Sequence, residues 1–172
     1  MSKETIEGTE EYAYDALNQL IRVRCPDGTT IEFVYDAMGN RLAVIENGTV
    51  INYTINELDQ YTSVGSTTFG YNANGNLISK IENGQTTYYN YDFENRLISV
   101  RTPNETINYT YNAFGLRNSR TDSNGTVYYL WDGDQVAIEE NEAHETIASY
   151  VWGDILDEII RMDRGGGSYY YT

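Results

Sequence analysis

An aromatic residue followed by a short polar turn recurs along this chain, and this repeat limits the fold more than any other feature. Successive aromatic positions are separated by 21, 18, 18, 20, 20, 20 and 21 residues. A near-regular period of this length predicts an array of small units that pack on their neighbours. The repeat residues are Tyr14, Asp15, Tyr35, Asp36, Tyr53, Tyr71, Tyr91, Asp92, Tyr111, Trp131, Asp132 and Trp152.

Each repeat contains two turn signals separated by strand-like sequence. Gly and Asn after the aromatic residue, as in 37–40 and 73–76, tolerate the positive φ that tight turns require. A second set of dipeptides is typical of hairpin loops, namely Asp27-Gly28, Asn47-Gly48, Asn83-Gly84 and Asn124-Gly125. The sequence therefore predicts an all-β fold of tandem antiparallel β-hairpin repeats, which form a curling sheet or a β-solenoid-like strip. The acidic stretch 139–145 is predicted to be a charged loop.

Composition agrees with many short strands and limits the partners. The chain has 17 Tyr against 4 Phe and 2 Trp, and Tyr favours a pleated, half-buried surface. A net charge of −15 disfavours binding to nucleic acid, because phosphate backbones are also negative. The charge indicates solubility and protected sheet edges, with cation binding or a salty extracellular setting as alternatives. No apolar run approaches the length of a membrane span. The chain has only two lysines, Lys3 and Lys80, so it has no basic membrane-binding patch.

The sequence divides into a polar N-terminal segment, residues 1–10, and a repeat array of about eight units, residues 11–172. The first residues do not resemble a signal peptide. Two alternatives remain, an intracellular chain or a piece of a longer exported protein. We expect an extracellular or cell-surface location, either as part of a longer exported precursor or without a visible signal peptide.

Several units are similar to a known repeat. The segments Tyr35-Asp-x-x-Gly-Asn-Arg-Leu42 and Tyr91-Asp-x-x-Asn-Arg-Leu97 resemble the YD repeat of the RHS (rearrangement hotspot) family, and Tyr129–Val136 resembles a motif near the end of its repeat region. The resemblance covers about residues 12–172. It implies a long β-sheet that spirals into a shell, as in bacterial RHS toxin shells, the Tc toxin cocoon and teneurins on cell surfaces. The family's core and self-cleavage motifs lie beyond Thr172 in this comparison, so no protease residues are transferred.

No residue pattern predicts catalysis, a cofactor or a metal site. Cys25 and His144 are single residues about six repeats apart, and a repeat array separates such residues in space. A glycosidase needs one carboxylate pair, whereas the repeat Asp residues recur in turns, where they accept backbone hydrogen bonds. The fragments 122–125 and 132–134 lack the spacing of a calcium loop. Gly165-Gly166-Gly167 lacks the context of a phosphate loop and is interpreted as a hairpin tip.

Five sequons of the Asn-x-Thr type are candidate N-glycosylation sites in an exported protein. Their asparagines are Asn47, Asn52, Asn104, Asn108 and Asn124.

These observations predict a non-catalytic structural scaffold, a YD-repeat segment of an exported shell or surface protein that encloses or presents another polypeptide. The expected partners are neighbouring repeats, further copies of the chain and an enclosed polypeptide. A self-assembling filament or adhesion protein, built by strand addition at open sheet edges, is the alternative. A carbohydrate-binding surface module that uses exposed Tyr and Trp is the third hypothesis.

Overall fold

The computed structural model describes residues 2–5, 8–154 and 158–171, which contain eighteen β-strands and no helix. None of the described residues therefore belongs to a helix able to cross a membrane. The all-β prediction is confirmed. The strands are β1 (Ser2–Thr5), β2 (Gly8–Tyr14), β3 (Leu20–Arg24), β4 (Thr30–Tyr35), β5 (Arg41–Glu46), β6 (Thr49–Ile55), β7 (Tyr61–Val64), β8 (Thr67–Tyr71), β9 (Leu77–Glu82), β10 (Gln85–Tyr91), β11 (Leu97–Arg101), β12 (Thr106–Tyr111), β13 (Arg117–Asp122), β14 (Gly125–Asp132), β15 (Gln135–Glu140), β16 (Thr146–Trp152), β17 (Ile159–Arg164) and β18 (Gly167–Tyr170).

The chain divides into two compact units. Unit 1 comprises residues 1–71 and 79–84, and unit 2 comprises residues 72–78 and 85–172. In unit 1, strands β1 to β8 pair consecutively and antiparallel. In unit 2, strands β10 to β18 pair in the same way. The sequence predicted that residues 1–10 form a polar segment outside the repeat array. Within that segment, Ser2–Thr5 forms strand β1 and pairs with β2.

Strand sequence explains this pairing. The strands are rich in Tyr, Val, Ile and Thr, whose branched or aromatic side chains suit a pleated surface. Asn47-Gly48 and Asn83-Gly84 join successive strands with positive φ at both residues, the geometry of the mirror-image turn that matches strand twist. The Asn124-Gly125 prediction is displaced by one residue. Gly125 pairs with Asp122 as the first residue of β14, so the loop is 123–124.

Each unit buries very few side chains. Among the described residues, only Ala43, Ala148 and Ser119 are buried, and no large side chain is fully buried. Most inward-facing strand residues are half-buried instead. Stability therefore depends on cross-strand side-chain pairs and on satisfied turns more than on a deep apolar core.

Candidate functional site

A five-residue turn closed by an Asp or Asn side chain is the recurrent site of this structure. The backbone N–H of Asp36 donates to the carbonyl of Asn40 at 2.9 Å, and the N–H of Gly39 donates to the carbonyl of Asp36 at 3.2 Å. The Asp36 Oδ1 accepts the N–H groups of Met38 at 2.9 Å and Asn40 at 2.8 Å. A short polar side chain at this position thus satisfies two backbone donors that the turn leaves unpaired.

The same turn occurs seven times in the described residues. It begins at Asp15, Asp36, Asn56, Asn72, Asp92, Asn112 and Asn141. The fourth residue always has positive φ, and it is Gly in three turns and Asn, Asp or His in the other four. Asp and Asn are interchangeable at the first position because the turn requires a side-chain oxygen acceptor and not a charge.

Burial alone would raise the pKa of the Asp36 and Asp92 carboxyls, but the hydrogen bonds within the turns outweigh it and hold each pKa below its usual value. For Asp92 the donors include both the backbone and the side chain of Arg96, whose Nε lies 2.7 Å from Oδ2. These carboxylates remain ionised and fully engaged at neutral pH. They have no free proton to transfer, which makes them poor candidates for acid catalysis.

The aromatic residue before the turn has a second structural role. One residue earlier the strand register shifts by a β-bulge, as between Val34 and Tyr35 or between Thr110 and Tyr111. Beyond the bulge, the Tyr35 hydroxyl donates to the carbonyl of Leu20 at 2.9 Å, and the Tyr111 hydroxyl donates to the carbonyl of Leu97 at 2.8 Å. Where an aromatic residue occupies this position, the donor at the end of its ring bonds to the strand after the preceding turn, which explains the preference for Tyr over Phe.

Tryptophan replaces tyrosine in this role near the C terminus. The indole N–H of Trp131 donates to the carbonyl of Arg117 at 2.8 Å, and that of Trp152 donates to the carbonyl of Val136 at 2.7 Å. Tyr71 makes the equivalent bond to the Tyr61 carbonyl at 2.9 Å.

Two of the predicted repeat residues, Tyr53 and Asp132, do not occupy the expected positions next to or within a turn. The turn of the third repeat begins at Asn56 and the bulge precedes Ile55, so Tyr53 lies two residues too early and packs edge-on against Tyr61 instead. Asp132 caps no turn of this class, because β14 continues through it and it pairs with Gln135 across a two-residue loop. Strong aromatic signals at Tyr53 and Trp131 obscured the actual turn positions.

The sequence prediction also missed one turn. Residues 141–145, interpreted as part of a charged loop, form the seventh turn, with His144 at φ 58° in the position that Gly fills elsewhere. Asn141 at the first position is the available signal, but Glu140 replaces the aromatic residue before it. The His144 ring stacks on Tyr128 at 5.1 Å, and its Nδ1 lies 3.1 Å from Glu140.

Consecutive turns are also bonded to each other. The Asn40 side-chain amide donates to Asp59 Oδ1 at 2.8 Å, which links the second turn to the third. In unit 2, Asn76 makes the equivalent bond to Asn95 at 2.7 Å. At least two pairs of neighbouring repeats are thus coupled through their turns, as expected of an array with nearest-neighbour energetics.

One polar cluster stands apart from the repeats. Glu139 accepts hydrogen bonds from the Tyr150 hydroxyl at 2.6 Å and from Arg164 at 2.7 Å, and Arg164 also lies 3.0 Å from the Tyr150 hydroxyl. Burial raises the pKa of Tyr150, and the bond to Glu139 raises it further. A neutral phenol beside an ion pair is not an activated nucleophile, so the cluster serves to connect β15, β16 and β17.

The isolated reactive residues lie in different units. Cys25, in unit 1, opens the turn 25–29, and burial raises the pKa of its thiol, which lowers the thiolate fraction. His144 lies in unit 2. Within the described part of the chain, no group of three or more His, Cys, Asp or Glu side chains is placed to hold a metal ion. Gly165 and Gly166 form the two-residue tip between β17 and β18.

This geometry defines a class of protein: an antiparallel β-hairpin repeat scaffold in which the same hydrogen-bonded turn recurs seven times within the described residues. The family model of the teneurin YD-shell matches residues 2–172, and the chain belongs to that family. The predicted YD-repeat resemblance is therefore confirmed.

Individual relatives agree with this assignment. The chain is 31% identical over 167 residues to the tRNA3(Ser)-specific nuclease WapA of Bacillus spizizenii, covering 92% of this chain and 7% of that protein. The crystal structure of TcdB2-TccC3-TEV is similar with a TM-score of 0.60 and 17% identity, over 84% of this chain and 10% of the other. The Photorhabdus luminescens Tc holotoxin pore has a TM-score of 0.61 and 16% identity, over 95% and 13%. The chain thus spans about a tenth of the length of these proteins.

Proposed function

We propose that this chain is a non-catalytic segment of an exported or cell-surface YD-repeat shell that encloses or presents another polypeptide. The main support is the sevenfold recurrence of one saturated turn. Catalysis needs a unique constellation of residues, whereas here the same side-chain oxygen satisfies the same backbone donors in repeat after repeat.

One face of the unit 2 strands carries a row of tyrosines that supports contact with a guest. Tyr89, Tyr109 and Tyr129 lie on one face of unit 2, as the register of β10 to β14 requires. Tyr88, the neighbour of Tyr89, points to the opposite face, where Arg101 lies 4.7 Å above its ring. Rigid aromatic side chains with a polar end suit contact with an unfolded or irregular polypeptide, and we assign the guest to the Tyr89 face.

A photocrosslinking amino acid placed at position 88 or 89 of the natural full-length protein tests this proposal. These two positions are matched, since they are adjacent tyrosines on opposite faces. We expect a crosslink to polypeptide from outside the repeat array at position 89 and none at position 88. Equal crosslinking at both positions, or none at either, would count against an enclosing sheet.

Self-association is a second candidate, favoured by the exposed tyrosines of the last strand. Tyr169, Tyr170 and Tyr171 are each at least half exposed, and the first two belong to β18. Strand addition beside such a segment would bury these rings. Sedimentation velocity over a wide concentration range tests it: a constant monomer mass in the parent chain contradicts self-assembly.

The five sequon asparagines stay proposed glycosylation sites for an exported protein. All five are exposed, which an acceptor site requires. Asn47 also accepts the Thr30 N–H through its side-chain oxygen at 3.0 Å, so we expect lower occupancy there. An intact mass of native material equal to the sequence mass would refute glycosylation.

A further inference from the structure

The turns of unit 1 expose a row of large apolar side chains. Leu17, Met38 and Leu58 each occupy the third position of a five-residue turn, in 15–19, 36–40 and 56–60. Their exposed fractions are 72%, 78% and 73%. We call these three side chains the turn-tip ridge.

The turn geometry itself explains the exposure. In each case the N–H of the ridge residue donates to the Asp or Asn oxygen two residues earlier, at 2.8 to 2.9 Å. The backbone donor faces into the turn, and the side chain extends into solvent. The turn does not require an apolar residue at this position, because two of the equivalent residues of unit 2 are Asn74 and Glu94, although a third is Phe114. Single exposed apolar side chains are common on protein surfaces, whereas three at the same position of consecutive turns form a regular row that a partner can contact.

The charge of the same turns limits the partner. The three turns contain four acidic residues, Asp15, Asp36, Glu57 and Asp59, and no Lys, Arg or His. Glu57 is exposed and has no ion pair among the described residues, and Asp59 is exposed beside Leu58. An acidic rim around apolar side chains complements a partner with basic residues on either side of an apolar stripe.

Spacing limits the partner's conformation. Consecutive turns of unit 1 are two strands apart, so ridge residues repeat about every 10 Å along the sheet edge. An α-helix repeats residues i and i+7 at a similar interval of about 10 Å. An extended strand places same-face residues about 7 Å or about 13 Å apart, which does not match the ridge. Three ridge residues span the length of about four helical turns.

We propose that the turn-tip ridge of unit 1 binds a basic amphipathic α-helix, whose apolar stripe contacts Leu17, Met38 and Leu58 and whose Lys or Arg residues pair with Glu57 and Asp59. The interaction is helix recognition by a row of protruding side chains, with charge setting the choice of partner.

Binding of labelled synthetic peptides to the 172-residue chain, followed by fluorescence anisotropy, tests the proposal. The probe is a 15-residue Leu/Lys peptide with Leu on one helical face. Two control peptides are an isomer with Leu and Lys alternating, which favours a strand, and a Leu/Glu version of the helix. We expect binding of the Leu/Lys helix that weakens as salt rises, and little binding of either control.

Substitutions separate the ridge from general attraction between a basic peptide and an acidic protein. The triple variant Leu17→Ser, Met38→Ser, Leu58→Ser keeps the net charge, and we expect it to weaken binding about tenfold or more. The control variant Val50→Ser removes an apolar side chain of β6 that is 51% exposed and lies near the end of the strand that is opposite to the turn 56–60, so it should retain parental affinity. If the triple variant alters the far-UV circular dichroism spectrum, Leu58→Ser and Glu57→Gln alone provide the same comparison.

Several outcomes would overturn the proposal. Parental affinity in the triple variant would show that charge alone binds the peptide. Equal binding of the alternating or the Leu/Glu peptide would remove the helix or the charge requirement. Ridge-dependent partition into phosphatidylcholine vesicles without peptide binding would assign the ridge to lipid. Ridge-dependent dimerisation in sedimentation experiments without peptide binding would assign it to a second copy of the chain.

Discussion

Removal of the side-chain acceptor from a single turn should destabilise unit 2 measurably. Asn112 accepts the N–H of Phe114 at 2.9 Å and that of Leu116 at 3.0 Å through the same Oδ1. In Asn112→Ala both donors lose this partner. The Phe114 donor is exposed and can bond to water, whereas the Leu116 donor is part-buried and cannot do so fully.

The magnitude follows from these two bonds. A net contribution of about 0.5–1.5 kcal/mol for the part-buried bond, and less for the exposed one, gives a loss of about 1–2 kcal/mol. Removal of an Asn or Asp cap from a helix, which also unpairs backbone donors, costs a similar amount, about 0.5–2 kcal/mol.

Urea unfolding followed by tryptophan fluorescence is the appropriate assay. Both tryptophans, Trp131 and Trp152, lie in unit 2, and Trp131 bonds to Arg117 in the strand that follows the Asn112 turn. The fluorescence transition therefore reports the unit in which the change is made. A signal specific to unit 2 is needed because repeat arrays can unfold in more than one step.

Two control variants make the test specific. Asn112→Asp keeps the acceptor, and Asp fills the same position in three other turns, so it should retain most of the stability at neutral pH. Phe114→Ser changes a side chain that is 89% exposed and should have little effect. An unchanged transition in Asn112→Ala, or an equal loss in Asn112→Asp, would refute the acceptor argument.

Three further predictions follow from the same geometry. Tyr111→Phe keeps the ring but removes the bond to the Leu97 carbonyl, and urea unfolding should show a loss of about 1 kcal/mol; no loss would contradict the need for a donor. Gly39→Ala should cost about 1 kcal/mol in thermal or urea unfolding because φ is +89°, whereas Gly39→Asn should cost less, and equal costs would contradict the strain argument. The hydrogen bond from the Ser168 hydroxyl to the Asp163 carboxylate makes the largest contribution to holding the pKa of that carboxyl below its usual value. The stabilisation is thus present above the unfolded-state pKa of about 4 and is lost as pH falls through the folded-state pKa. The difference in urea midpoint between the parent and Asp163→Asn should be constant well above about pH 4 and should shrink as pH falls below it, and a difference that does not change with pH would exclude this linkage.

Much of the repeat could be predicted from residue types alone. Asn47-Gly48 forms the hairpin turn expected of it, since both residues tolerate positive φ without help from distant contacts. Asp36 caps its turn through bonds to residues two and four positions later, which is again a local effect. Local chemistry of this kind is visible in sequence because the interacting groups are only a few residues apart.

Turn positions that depend on strand pairing could not be predicted in the same way. Tyr53 and Ile55 are both suitable strand residues, and only the bulge opposite β7 decides that Ile55 precedes the turn. Asn141 follows a glutamate in place of an aromatic residue, so its turn becomes visible only once β15 and β16 are paired. The Tyr111 and Trp131 bonds likewise connect groups 14 residues apart.

The sequence by itself determined the fold class, the approximate repeat length, the YD-repeat resemblance and the chemistry of turns such as 36–40 and 47–48. These properties arise from residue conformational preferences and from periodicity, and both act within one repeat. The tertiary structure alone decided the register, the positions of the bulges, the partners of ring donors such as Tyr111 and Trp131, and the exposure of Leu17, Met38 and Leu58. Those features depend on which atoms neighbouring strands bring together, and a one-residue shift in pairing would exchange the two faces of a strand.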